Sequence, residues 1–257
     1  MLGGIIALFA VFTVSGFFTG LLGLGGGLVI VPVFMAAMSF PGVHLTYSVH
    51  QIIGISSACV FVNSAITLFL RRKEDFLSSK SLLCIIPATI VGTFGGAIIS
   101  SFVSAKLLLL LFVLVSVISL ILINKKENCQ TCAINAHLPE IFSIFALIGA
   151  ISASVGIGGA MLFAAALKTL TGKTPKELLP TITMLVFAHA FFAFLGKSIT
   201  GNVVFPVIAL AVPASFIGAS LGIKLSRGLS AQRINQYMSL FLIVAVIKVL
   251  YETFFVL

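Results

Sequence analysis

The chain has 257 residues, of which 60% are hydrophobic and 8% charged, and its mean hydropathy is +1.27. That balance lies outside the soluble range and, with apolar runs of about 20 residues recurring along the chain, defines an integral membrane protein with many helical crossings. A net charge of +9 and a pI near 9.7 would suggest nucleic acid in a soluble protein, but basic loops gathered on one face are what the positive-inside rule requires here, so no nucleic-acid partner is expected.

Met1 leads straight into an apolar run with neither a basic n-region nor a small-residue cleavage site, so no cleavable signal peptide is expected. Residues 3–22 predict a first apolar helix, interrupted only by Thr13, Ser15 and Thr19. A glycine-rich break follows, Gly20-Leu-Leu-Gly23-Leu-Gly25-Gly26-Gly27, and residues 28–38 then predict a second helix ended by Pro41-Gly42. Its 11 residues, at about 1.5 Å each, fall short of a hydrocarbon core of about 30 Å. Residues 47–70 are long enough to cross and carry Ser48, His50, Gln51, Ser56, Ser57, Asn63, Ser64 and Thr67. Such groups are costly against lipid, so this helix is expected to face the bundle interior. A charged loop over 71–80 precedes apolar runs at 82–101 and 106–124.

The hydrophilic stretch from 124 to 139 is the longest interruption and divides the chain into a first membrane repeat (1–124), a cytoplasmic linker (125–138) and a second membrane repeat (139–257). Residues 140–155 run into a second break, in which Gly156, Gly158 and Gly159 fall under Gly23, Gly25 and Gly26 at a constant offset of 133. A second short helix is predicted over 160–170, and further crossings over 178–195, 203–222 and 234–255. The halves also match outside the breaks: Pro87-Ala88, Gly92, Gly96, Ser104 and Ala105 align with Pro213-Ala214, Gly218, Gly222, Ser230 and Ala231 at an offset of 126. Glycines four apart share one helix face, the close-approach pattern of membrane helix pairs, so these four read as packing positions.

Lysine and arginine positions set the orientation. If each glycine unit is a re-entrant hairpin, each half crosses three times and the halves are inverted; the cytoplasmic loops then hold twelve basic residues, while Lys106 and Lys197 stay opposite and Lys248 lies within the last helix. Parallel repeats would place the basic 223–233 loop outside, so the inverted arrangement fits better. The expected fold is therefore an all-α polytopic membrane protein of two inverted repeats, each a glycine-broken re-entrant helix pair plus three transmembrane helices.

Inverted breaks would bring two short-helix N-termini, at Gly27 and at Gly159-Ala160, toward the bilayer middle. Each presents unpaired N–H groups and about half a positive charge, together a site for an anion. Beside the glycines, His50 and Gln51 in the polar helix and Thr181 and Thr183 after Pro180 are candidate ligand contacts. The six acidic residues fall in loops or near helix ends, so proton coupling would need His50, His189 or a protonatable substrate. Lys173, Lys176 and Lys197 read as membrane-interface residues. Cys59 and Cys84 read as small buried hydrophobes. Cys129-Gln-Thr-Cys132, with His137 nearby, has the spacing of a redox or metal half-site but no second ligand pair, so neither metal nor cofactor is expected.

The duplicated Gly-Leu-Gly-Gly-Gly and Gly-Ile-Gly-Gly breaks, each followed by an apolar run and a polar helix, resemble the TauE/SafE sulfite exporter family, also called the toluene sulfonate uptake permease family, over essentially the whole chain. The resemblance implies a multi-pass carrier of the cell inner (plasma) membrane for sulfite, sulfoacetate, related sulfonates or other small organic anions, and carries over to Gly20, Gly23, Gly25, Gly26, Gly27 and Pro32, then Gly156, Gly158 and Gly159. Where the family commonly reads Gly-Thr-Ser after each break, this chain has His50-Gln51-Ile52 and Pro180-Thr181-Ile182-Thr183. The expected function is a proton-linked secondary transporter of a small sulfur-containing anion. The alternatives are a carrier or channel for another small anion, and an intramembrane redox enzyme using Cys129 and Cys132. No Walker motif, paired carboxylates, Ser–His pair or HExxH zinc motif is present to favour an enzyme.

Overall fold

A computed structural model describes residues 2–22, 26–38, 46–70, 79–124, 138–173, 175–226 and 231–255. The described residues form ten α-helices and one 3-10 turn, with no strand among them. The first five helices are α1 (Leu2–Leu22), α2 (Gly27–Met38), α3 (Val49–Leu70), α4 (Ser79–Ile99) and α5 (Ala105–Asn124), with the 3-10 turn Ser100–Phe102 between the last two. The second five repeat the pattern of lengths: α6 (Leu138–Val155), α7 (Ala160–Thr171), α8 (Pro175–Ile199), α9 (Phe205–Ser226) and α10 (Ala231–Phe255). Seven of them, α1, α3, α4, α5, α6, α8 and α9, are long and apolar enough to cross a membrane. The protein is an all-α polytopic membrane protein. Within each glycine-broken pair only the second member is too short, since α2 and α7 have 12 residues each, about 18 Å of helix.

The helices of the two segments interlock. α1 packs along α9, α4 packs along α6, and α3 lies against α8 at the centre. Glycine makes the first two seams possible. A Cβ on Gly218 or Gly222 would strike the Thr13 or Phe17 carbonyl of α1, and one on Gly92 or Gly96 would strike the Ala146 or Ala150 carbonyl of α6. The packing role read from the four-residue spacing is what these contacts describe. Most of the polar residues of this helix turn inward as expected: Ser56, Ser57, Asn63, Ser64 and Thr67 are buried, while His50 and Gln51 are partly buried and Ser48, just before α3, is exposed.

Large apolar side chains cover the outside. On α5, Leu107, Leu110, Leu114, Val117, Ile118 and Ile121 form an exposed stripe at helical spacing, and α9 shows Val212, Phe216, Ile217 and Leu221. A face of this kind suits hydrocarbon rather than water.

Two charged side chains near helix ends are buried. Lys197, two residues from the end of α8, is fully buried against the 3-10 turn, which supplies Ser100 Oγ, 2.6 Å from Lys197 Nζ. Glu252 lies three residues from the end of α10, yet it is buried, with Lys248 Nζ 2.6 Å from its carboxylate. An adjacent cation offsets the burial of that carboxylate.

Candidate functional site

The two breaks lie against each other. A Cβ on Gly27 would strike the backbone of Gly156 and Ile157, so the start of α2 and the loop before α7 are in contact. Both chains double back there. Gly26 faces Ser15 and Thr19 of α1, with the Ser15 carbonyl 3.0 Å from where its Cβ would sit, so the start of α2 lies level with the interior of a crossing-length helix rather than beyond its end. Gly159 likewise faces Ser152 of α6.

Glycine is required at the turns for conformational reasons. Gly26 has φ +63° and Gly159 φ +65°, the left-handed region that side chains with a Cβ rarely adopt. Each residue stands just before a short helix, and its carbonyl accepts the first helical bonds, from Val29 and Ile30 in α2 and from Phe163 in α7. The amides that lead each helix, Gly27 and Leu28 in α2 and Ala160, Met161 and Leu162 in α7, have no carbonyl ahead of them within the helix. No side chain of residue 159 can cap α7, so its leading donors stay available to a ligand.

Buried polar side chains surround these starts. Asn63 Nδ2 donates to Ser15 Oγ at 3.2 Å, while Asn63 Oδ1 has no partner. Ser152 Oγ is also buried without a partner, 2.9 Å from where a Cβ on Gly159 would sit. Buried polar atoms are rarely left unpaired in folded proteins, and an orphan is a mark of strain or of a ligand. Ser56 Oγ donates to the Gly156 carbonyl at 2.8 Å and ties α3 to the second break. On the far side of Gly159, the Phe163 ring stacks edge-on against His189, whose Nδ1 shares a 2.7 Å hydrogen bond with Thr93 Oγ1.

Of the residues expected from sequence, Gly26, Gly27, Gly156, Gly158 and Gly159 come together, with His189 reached through Phe163. Gly23 and Gly25 lie outside the described residues, as do Cys129, Cys132 and His137. Gln51 is engaged elsewhere: Ser48 N–H donates to its Oε1 and Ser48 Oγ accepts from its backbone N–H, a capping box that starts α3. His50 Nε2 donates to the Val103 carbonyl at 2.9 Å, which makes that nitrogen the protonated one and links α3 to the chain after the 3-10 turn. Thr181 and Thr183 are buried near the start of α8, and Thr183 donates to the Leu179 carbonyl of its own helix. Ser152 is absent from the sequence expectations. The signal was available, because the offset of 133 that pairs the glycines also pairs Ser152 with Thr19, and each faces its own glycine.

Two glycine breaks in mutual contact, each leading into a short apolar helix among seven crossing-length helices, are the architecture of a membrane transporter. A family model described as "Sulfite exporter TauE/SafE" matches residues 8–249, and the chain belongs to that family. Relatives of similar length agree. A "Probable membrane transporter protein" of Bacillus subtilis strain 168, YunE, is 26% identical over 96% of this chain and 99% of its own. One of Methanocaldococcus jannaschii, MJ0441, is 24% identical over 88% and 89%, and one of Haemophilus influenzae is 26% identical over 91% and 93%. No solved structure matches the chain. The protein is a membrane transporter and not an enzyme.

Proposed function

We propose that the protein is a secondary transporter of a small sulfur-containing oxyanion, sulfite or a sulfonate such as sulfoacetate, bound where the two glycine breaks meet. The observation that carries this reading is the pair of buried, unpartnered polar groups, Ser152 Oγ and Asn63 Oδ1, beside two glycine breaks in mutual contact. A hydroxyl and leading amides are donors suited to oxyanion oxygens, and turning the Asn63 carboxamide over would offer its NH2 group as well. The approach is to bare backbone, so recognition rests on charge and shape rather than on a fixed side-chain cation.

Transport is proton-linked in this reading, in the cell inner membrane, with the repeats (1–124 and 139–257) inverted about the linker 125–138. His189, one ring away from the second break, is the favoured coupling group, and His50 the other. The test is uptake by proteoliposomes of sulfite, sulfoacetate, taurine, sulfate and lactate, followed across pH for the wild type, His50→Gln and His189→Gln. Saturable uptake of sulfite or sulfoacetate, with a pH profile flattened in His189→Gln, is the expected result. Uptake of lactate alone would discard the sulfur-anion reading, and currents without saturable exchange would turn the carrier into a channel.

A further inference from the structure

We propose that Lys197 and its surroundings form a second anion station, at the end of α8 and separate from the glycine breaks; the identity of the anion rests on the reading above. Lys197 is fully buried, and among the described residues its ammonium makes one hydrogen bond, to Ser100 Oγ at 2.6 Å. The Ser100 hydroxyl donates onward to the Ala97 carbonyl at 2.8 Å, so its oxygen is oriented to accept from the lysine. An ammonium has three donors, no carboxylate among the described residues pairs with this one, and a buried cation so placed is among the costliest groups a membrane protein can hold. An anion supplies both the missing charge and the missing acceptors.

The backbone around it is built to hold position. α8 ends in a turn where Asn202 N–H donates to the Lys197 carbonyl at 3.0 Å and Gly201 N–H to the Ser198 carbonyl at 3.1 Å, with Gly201 at φ +72°. This is the glycine-terminated helix end that fixes its last residues. Asn202 Nδ2 then bridges Ser101 Oγ and Thr200 Oγ1, both at 3.0 Å, and a Cβ on Gly54 of α3 would strike the Asn202 carbonyl. The 3-10 turn, α3 and the end of α8 are thus clamped around the lysine. Gly201 is exposed with open space beside its Cα, so Lys197 lies one turn beneath the outer edge of this end of the bundle. A fixed cation there suits the mouth of an anion path, one step before or after the uncharged donors at the breaks.

The experiment measures binding of sulfite, sulfoacetate and sulfate by calorimetry to the full chain in nanodiscs, for the wild type, Lys197→Gln, Lys197→Arg and Ser152→Ala, each with its melting temperature. Expected are a loss of roughly tenfold or more in affinity for Lys197→Gln, largely restored in Lys197→Arg, with melting temperatures close to wild type. Wild-type affinity in Lys197→Gln would overturn the station whatever Ser152→Ala does. Weakened binding in Lys197→Gln beside unchanged binding in Ser152→Ala would keep the station and sink the site at the breaks. A lowered melting temperature in Lys197→Gln and Lys197→Arg alike, with unchanged affinity, would reduce Lys197 to a helix-end contact and overturn the proposal. A wild type that binds neither sulfite, sulfoacetate nor sulfate would overturn both sites.

Discussion

Ser152 gives the sharpest test of the site, because its hydroxyl contributes nothing to the fold that can be lost. Removing a buried, unpartnered hydroxyl is close to neutral or mildly stabilising, whereas removing one that donates to a bound oxyanion weakens binding. Ser152→Ala is therefore expected to keep or slightly raise the melting temperature while lowering anion affinity by roughly tenfold. A variant with unchanged affinity would leave the orphan hydroxyl without a ligand. The obvious glycine variants are less informative, since any side chain at Gly26 or Gly159 meets a left-handed φ as well as a collision and so perturbs fold and site together. Single residues were also where sequence reading fell short. Lys197 sits two residues from the end of a crossing helix, where a lysine usually reaches the headgroups. Its burial depends on Ser100, 97 residues away, which no local pattern reveals. Gln51 shows the reverse, as Ser48-Val-His-Gln51 is a local capping signature that the structure forms.

At the scale of elements, the glycines separate into those that touch backbone and those that do not. Gly92 and Gly218 are helical, but a Cβ on either would overlap a carbonyl of the facing helix, and backbone cannot move aside as a side chain can. Gly92→Ala and Gly218→Ala are expected to destabilise the protein by about 1–3 kcal/mol through forced separation of the helices. Gly95, on the same helix as Gly92, has nothing within 4 Å of a built Cβ, so Gly95→Ala is expected to be neutral. Thermal unfolding of the three variants in one detergent checks this, and equal losses at Gly92 and Gly95 would contradict the seam. These seams were legible in advance because small residues four apart have one physical meaning in a membrane helix. Which helices they join was not, since α1 meets α9 and α4 meets α6 across the whole chain.

The whole molecule adds orientation to these local contacts. Twelve basic residues in or beside these loops, against Lys106 and Lys197 toward the opposite side, favour a cytoplasmic location for the loops around 71–81, 124–138, 168–177 and 223–233. In a cysteine-replaced background, Gly228→Cys is expected to resist an impermeant external thiol reagent in intact cells and to react after permeabilisation. Modification from outside would reverse the inverted arrangement and with it the approach of two helix starts from opposite sides. The architecture itself was readable because hydropathy sets span lengths and the two breaks recur at a fixed offset. The contact between the breaks, through Gly27 and Ile157, needed three dimensions.

The seam between α1 and α9 carries a consequence for how the protein is made. Roughly 200 residues separate Gly16 from its neighbour Ser215, and at ribosomal rates of about 5–20 residues per second that interval is on the order of ten to forty seconds. Throughout it the small-residue face of α1 lacks the backbone it is cut to receive. Newly made α1 must therefore wait in the bilayer with its binding face unfilled. Whatever shields that face during synthesis acts before the transporter has a site at all.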